Sequence, residues 1–292
     1  MQNDDSRAAA GPEEAHDPDA FPARAEPAAA IDGAAPSEAV LHPWSPGLTL
    51  FWGLVLLGGY FVVQAVVVGL GLVPALFDPA ARRPGFVPDV AGLLRARMGL
   101  LFTVGTVVSA PLVVGATLFV AWQGLARQGL ADPRPALRRS LGLVRPRFAQ
   151  VALWVAAAFA VLTGYEVLAR QLDRPPLPDF LVELHASAGW LPGLLFVVVF
   201  LAPLVEEVLF RGFLLPGLAA GRLGAAGAVV VTAALFTVVH TQYDPFDMSA
   251  VLTLGLLLGA ARWFSGSLWL TYGLHAAINA VAAAQLVWAL GW

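Results

Sequence analysis

The 292-residue sequence contains no cysteine and no lysine. Without cysteine, the chain has no disulfide, no thiol nucleophile and no cysteine-ligated zinc or iron–sulfur site. All 17 basic residues are arginine, which we read as the codon bias of a GC-rich, bacterial genome and not as a nucleic-acid-binding signature. Catalytic chemistry must therefore use oxygen and nitrogen groups, and we expect no nucleic-acid partner.

Long hydrophobic runs dominate the sequence. Hydrophobic residues make up 58% of the chain, charged residues 13%, and the mean hydropathy is +0.73. These runs are too long for a soluble core, and at about 20 residues per crossing they predict an all-α polytopic transmembrane bundle of about seven spans. Because one run is short, the range is six to eight spans. The runs are 48–73, 99–122, 149–169, 191–215, 224–241, 250–263 and 267–290.

Composition divides the chain into three regions. Residues 1–47 are rich in Ala and Pro and carry nine acidic residues against Arg7 and Arg24, so we predict an acidic, disordered tail. Residues 48–189 are predicted to form N-terminal transmembrane helices. Residues 190–292 hold the intramembrane polar residues described below and are predicted to form the catalytic core.

Arginines in the connecting segments give a prediction of orientation. The loop at 123–148 carries six arginines and is expected to face the cytoplasm, although four arginines at 74–98 weaken the contrast. We therefore predict an integral protein of the bacterial inner membrane with a cytoplasmic N-terminus.

Three ionisable residues, Glu206, Glu207 and Arg211, lie inside the apolar run at 191–215. Such groups are costly within a bilayer unless they are paired or functional. At about 100° per residue, Glu207 and Arg211 lie about 40° apart and can form an ion pair, whereas Glu206 points about 100° away from Glu207. Pro203 also lacks an N–H and disturbs the backbone ladder one turn upstream. We therefore predict that Glu206 is the free carboxylate, in a hydrated site.

Two later apolar runs carry further polar residues at a spacing of four. Phe236 precedes His240 in one run, and His275 precedes Asn279 in the last. Polar side chains within a membrane find their cheapest partners in one another. The sequence therefore predicts one buried polar cluster that contains Glu206, His240, His275 and Asn279.

The three motifs Glu-Glu-x-x-x-Arg, Phe-x-x-x-His and His-x-x-x-Asn, in this order on successive apolar segments, resemble those of the CPBP family of intramembrane proteases. That family includes type II CAAX prenyl endopeptidases and bacteriocin-processing or self-immunity proteins of the Abi type. The resemblance covers about residues 190–290. It implies an endopeptidase that hydrolyses a peptide bond of a membrane-associated protein or peptide.

The resemblance also implies roles for individual residues. Glu206 would activate water as the general base, and His240 would polarise that water. His275 and Asn279 would stabilise the oxyanion. Glu207, Arg211 and Phe236 would support the site structurally.

A zinc ion is left open by the sequence. Glu206, His240 and His275 form a plausible ligand set with an open position for water, and the family is commonly described as metalloproteases. However, Asn279 is a poor zinc ligand, and Glu206 would have to be both ligand and base. Two other functions also remain as alternatives: a proteolytically inactive membrane scaffold or immunity protein, and a small-ion or solute transporter, which the absence of an internal repeat disfavours.

Overall fold

A computed structural model describes residues 42–77, 89–175 and 177–291. The predicted tail at 1–47 falls mostly on residues 1–41, which lie outside the described residues. The first helix begins at Pro46. Just before that helix, the indole N–H of Trp44 donates to the Val120 carbonyl at 3.0 Å.

Over the described residues the protein is all-helical, which confirms the predicted fold class. The helices, in chain order, are α1 (Pro46–Leu76), α2 (Val90–Ala126), α3 (Arg134–Leu141), α4 (Phe148–Gln171), α5 (Asp179–Ala186), α6 (Leu191–Phe196), α7 (Ala202–Glu206), α8 (Leu215–Ala219), α9 (Gly224–Val238), α10 (Pro245–Ser265) and α11 (Leu268–Leu290). Two π-helical segments, Val197–Leu201 and Glu207–Leu214, join α6, α7 and α8 into one continuous helix. We call Leu191–Ala219 the central helix.

Six helices of the described chain are long and apolar enough to span a membrane, and α9 is a shorter apolar helix of 15 residues. This agrees with the prediction of about seven spans and makes the chain an integral membrane protein. The short helices α3 and α5 lie toward opposite ends of α2. Helix α3 follows the C-terminal end of α2. Ser187, just after α5, accepts a hydrogen bond from the N–H of Gly99, which lies in the N-terminal third of α2. The side of the membrane that each end faces stays a prediction.

Prolines explain why the central helix leaves the α-helical register twice. Ala202, just before Pro203, donates its N–H to the Val197 carbonyl, five residues back. The Val198 carbonyl therefore loses its α-helical donor, and its π-helical donor would be the nitrogen of Pro203, which has no hydrogen. A proline thus leaves one backbone acceptor unpaired in the middle of the apolar helix.

The same arrangement recurs at the second π segment. Leu215, just before Pro216, donates its N–H to the Phe210 carbonyl, which leaves the Arg211 carbonyl without a backbone donor. The buried Arg262 of α10 supplies one, because its Nε donates to that carbonyl at 3.1 Å. Its Nη2 donates to the Ser140 carbonyl of α3 at 3.2 Å. Arg262 therefore joins the central helix to α3 by completing a backbone hydrogen bond that Pro216 cannot make.

We predict that the stability cost of Arg262→Met depends on Pro216. The substitution leaves buried carbonyls unpaired, at about 1 to 3 kcal/mol each. Pro216→Ala restores a backbone N–H at residue 216, which in a π-helix donates to the Arg211 carbonyl. The cost of Arg262→Met should therefore be smaller in the Pro216→Ala background by about 1 kcal/mol. Thermal unfolding of the two single variants and the double variant in detergent measures this coupling. An equal loss of stability in both backgrounds would contradict it.

Candidate active site

Arg211, Glu207 and His275 form a buried, hydrogen-bonded array beneath the cavity. Arg211 Nη1 donates to Glu207 Oε1 at 2.9 Å, and both side chains are 0% exposed. The same carboxylate oxygen accepts a hydrogen bond from His275 Nδ1 at 3.0 Å. Arg211 Nη2 also donates to the Gly255 carbonyl of α10 at 3.2 Å. The ion pair that the (i, i+4) spacing predicts is therefore present on the central helix. Through Glu207 it also orients His275 of α11.

Phe236 of α9 packs at the centre of this array. The Arg211 guanidinium lies 4.5 Å from the centre of its ring, within the range of a cation–π contact. The Phe236 ring centroid also lies 4.6 Å from that of His240 and 5.8 Å from that of His275. Phe236 therefore packs against the Arg211 guanidinium and against both imidazole rings.

Glu206 is the carboxylate that faces open space. Its Oε2 lies 3.7 Å from His275 Nε2, and its side chain is 23% exposed. It lines a cavity of about 740 Å³ together with Phe236, His240, His275 and Asn279. Glu207 takes no part in the cavity wall. The structure thus separates the two neighbouring glutamates into one that is fully buried and paired and one that is accessible, as their angular spacing predicts.

His240 lies just beyond the C-terminal end of α9, and its orientation is fixed by the backbone. Its Nδ1 lies 2.6 Å from the Phe236 carbonyl, which can only accept, so Nδ1 carries the hydrogen. Its Nε2 is the other polar atom of the ring, and the residue lines the cavity. The structure therefore brings His240 to the same cavity as Glu206 and His275.

Asn279 has a backbone partner that sequence reasoning missed. Its Nδ2 donates at 2.9 Å to the Val198 carbonyl, the acceptor left unpaired by Pro203. One of its two amide hydrogens is therefore used to complete the first π segment. Its predicted role as an oxyanion donor stays a prediction and depends on the remaining hydrogen.

The predicted zinc ligands do not form a recognisable metal site. Among residues 42–77, 89–175 and 177–291, no three His, Asp or Glu side chains are arranged so that they could hold a metal ion. The Nδ1 atoms of His240 and His275 are used by Phe236 and Glu207. Each histidine therefore keeps Nε2 as its possible metal ligand, and the metal call from the sequence stays a prediction.

Two residues of this region, Arg262 and Tyr243, belong to none of the three family motifs. Arg262, described above, is an arginine inside an apolar run, and that position alone was a signal of a buried partner. Tyr243 lines the cavity beside His240, and its position in a connecting loop gave no signal. Arg262 therefore has a signal in the sequence, whereas the place of Tyr243 in the cavity wall follows only from the fold.

Comparison with known proteins agrees with this geometry. Residues 188–281 match the family described as type II CAAX prenyl endopeptidase Rce1-like. This segment is therefore similar to the domain of that family. The match confirms the resemblance to the CPBP family that the three motifs indicate, and it covers every residue of the buried array and of the predicted catalytic set.

One curated relative is similar over part of its length. It is a protein from Escherichia coli described as "Uncharacterized 24.3 kDa protein", 33% identical over 132 residues. The match covers 42% of this chain and 58% of that protein, so it spans little more than half of the relative. No solved structure matches the chain.

We predict that Glu207→Gln strongly destabilises the fold. The amide keeps the shape of the side chain but leaves Arg211 as a buried, unpaired cation, a change that typically costs about 3 to 5 kcal/mol. The matched control is Glu166→Gln, which removes an exposed (i, i+4) pair with Arg170 on α4 and should change stability by less than about 1 kcal/mol. Thermal unfolding in detergent compares the two, and similar losses in both would contradict a dominant role for the buried pair.

Proposed function

We propose that the protein is an intramembrane endopeptidase that hydrolyses a peptide bond of a membrane-associated protein or peptide. The family of residues 188–281 supports this class of enzyme. The observation that carries the proposal is the contact between Glu206 Oε2 and His275 Nε2, 3.7 Å apart on the wall of a large cavity.

Glu206 is suited to act as the general base. Its neighbour Glu207 is bound to Arg211 and His275, so that carboxylate has no free access to water. His275 donates from Nδ1 to Glu207, which leaves a lone pair on Nε2 directed toward Glu206. A water molecule that donates one hydrogen to Glu206 and the other to this nitrogen satisfies both acceptors.

The reaction then follows from proton transfer by one carboxylate. Glu206 accepts a proton from water while the water oxygen attacks the carbonyl carbon of the scissile bond. The resulting oxyanion is stabilised by hydrogen-bond donors at the cavity wall. Collapse of the intermediate breaks the carbon–nitrogen bond, and Glu206 returns its proton to the departing amine. The products are one carboxylic acid terminus and one amine terminus.

The cavity favours a substrate with apolar side chains. Most of the residues that line it are leucine, valine, phenylalanine or alanine, and the larger part of these belong to α1, α2, α5, the central helix and α10. Such a wall lowers the free energy of apolar groups brought out of water. A membrane-associated peptide fits these surroundings better than a soluble, charged peptide does.

We predict that Glu206→Gln and Glu206→Ala lower cleavage by about 100- to 10,000-fold, the usual contribution of a general base. Purified protein in detergent is assayed on a library of quenched apolar peptides, with thermal unfolding to verify that each variant folds. Glu183→Gln, an exposed acid on α5, is the control and should cleave at the wild-type rate. Undiminished cleavage by folded Glu206→Gln would overturn the proposal, and absence of cleavage by the folded wild type would favour an inactive scaffold.

We also predict that cleavage survives treatment with a chelator. The reason is geometric, since within the described part of the chain no three His, Asp or Glu side chains are arranged to hold a metal ion, although Glu206 Oε2 and His275 Nε2 lie 3.7 Å apart. The same peptide assay after exhaustive chelation measures this. Loss of cleavage that Zn²⁺ restores would instead establish the zinc site predicted from the sequence.

A further inference from the structure

The hydrogen bonds of the two histidines raise the question of what donates to the oxyanion. His240 Nδ1 donates to the Phe236 carbonyl, and His275 Nδ1 donates to the Glu207 carboxylate. A neutral imidazole has one hydrogen, so each ring then presents only an acceptor at Nε2. Asn279 has one amide hydrogen left after its bond to Val198. When both rings are neutral, the family motifs therefore supply one free donor hydrogen, that of the Asn279 amide.

Tyr243 adds a hydroxyl to the same cavity, and its ring is held in place from several sides. Its backbone N–H donates to the His240 carbonyl at 3.1 Å, which closes a turn after α9. The turn brings the two rings nearly parallel, with centroids 6.2 Å apart and an interplanar angle of 10°. Phe180 of α5 contacts the Tyr243 ring edge-on, with centroids 5.5 Å apart at 81°.

The Tyr243 hydroxyl is available as a donor. No hydrogen bond joins it to another of the residues that the structure describes, and the residue lines the cavity with Glu206 and His240. Burial raises the pKa of Tyr243 above its ordinary value, and the negative charge of Glu206 raises it further. The phenol therefore keeps its proton and can donate at neutral pH.

We propose that Tyr243 is a further catalytic residue, whose hydroxyl donates a hydrogen bond to the carbonyl oxygen of the scissile bond as that oxygen becomes an oxyanion. This inference rests on the proposed endopeptidase function. Glu206 takes the proton of water and Tyr243 keeps its own, so the hydroxyl stabilises charge without entering the proton balance. Its hydrogen bond supplements the one hydrogen that remains on Asn279.

Tyr243→Phe tests the proposal with a minimal change, because the ring and its contacts with His240 and Phe180 remain. Loss of an oxyanion donor typically lowers kcat by about 100- to 1,000-fold. We expect a loss of this size in kcat, little change in KM and an unchanged melting temperature. The matched control is Tyr165→Phe, whose hydroxyl lies 2.8 Å from Thr253 Oγ1 between α4 and α10, outside this cavity.

A second measurement separates this role from a structural one. A phosphinic peptide copied from the best-cleaved substrate presents a tetrahedral anion at the reacting position, so its affinity should fall in Tyr243→Phe by about the same factor as kcat. A purely structural role would weaken the substrate and the phosphinic peptide alike. Wild-type kcat or unchanged phosphinic affinity in Tyr243→Phe would overturn this inference while leaving the proposed function intact, provided that Glu206→Gln is inactive. If Glu206→Gln cleaves normally, or the wild type cleaves no peptide, both fail.

Discussion

The buried ion pair between Glu207 and Arg211 is the interaction on which the rest of the site depends. An unpaired charge in an apolar interior is expensive, so each partner stabilises the other and neither is free for chemistry. The pair also fixes His275 through its Nδ1 and contacts α10 through the Gly255 carbonyl. Because Glu207 is paired in this way, the adjacent Glu206 remains as the accessible carboxylate, and two identical residues acquire different environments.

Backbone hydrogen bonding explains why the polar residues come from three helices. An apolar environment requires every carbonyl to have a donor, yet Pro203 and Pro216 each remove one from the central helix. Asn279 and Arg262 supply the missing donors from α11 and α10. The two π segments are thus joined to neighbouring helices by side-chain hydrogen bonds that replace the backbone bonds that the prolines cannot form. The helix that carries Glu206 is held in position from both sides of that residue.

Much of this arrangement could be predicted from the sequence, because its causes are local. Hydrophobic runs predicted the spans, and helical periodicity distinguished Glu206 from Glu207. The additional bond of Asn279 could not be predicted, since it depends on a register shift that arises only when Pro203 and the π segment are considered together. The stacking of Tyr243 on His240 depends on the turn after α9 and on the packing of α5, and neither has a periodic signal.

The short length of α9 determines where the chain turns to bring His240 and Tyr243 to the cavity. A helix of 15 residues is about 22 Å long, shorter than the hydrocarbon core of about 30 Å. His240 lies just beyond the C-terminal end of α9. The chain continues there into the turn that carries His240 and Tyr243, and both residues line the cavity. The early end of α9 thus allows a turn, in place of packed helix, to form part of the cavity wall that Glu206 also lines.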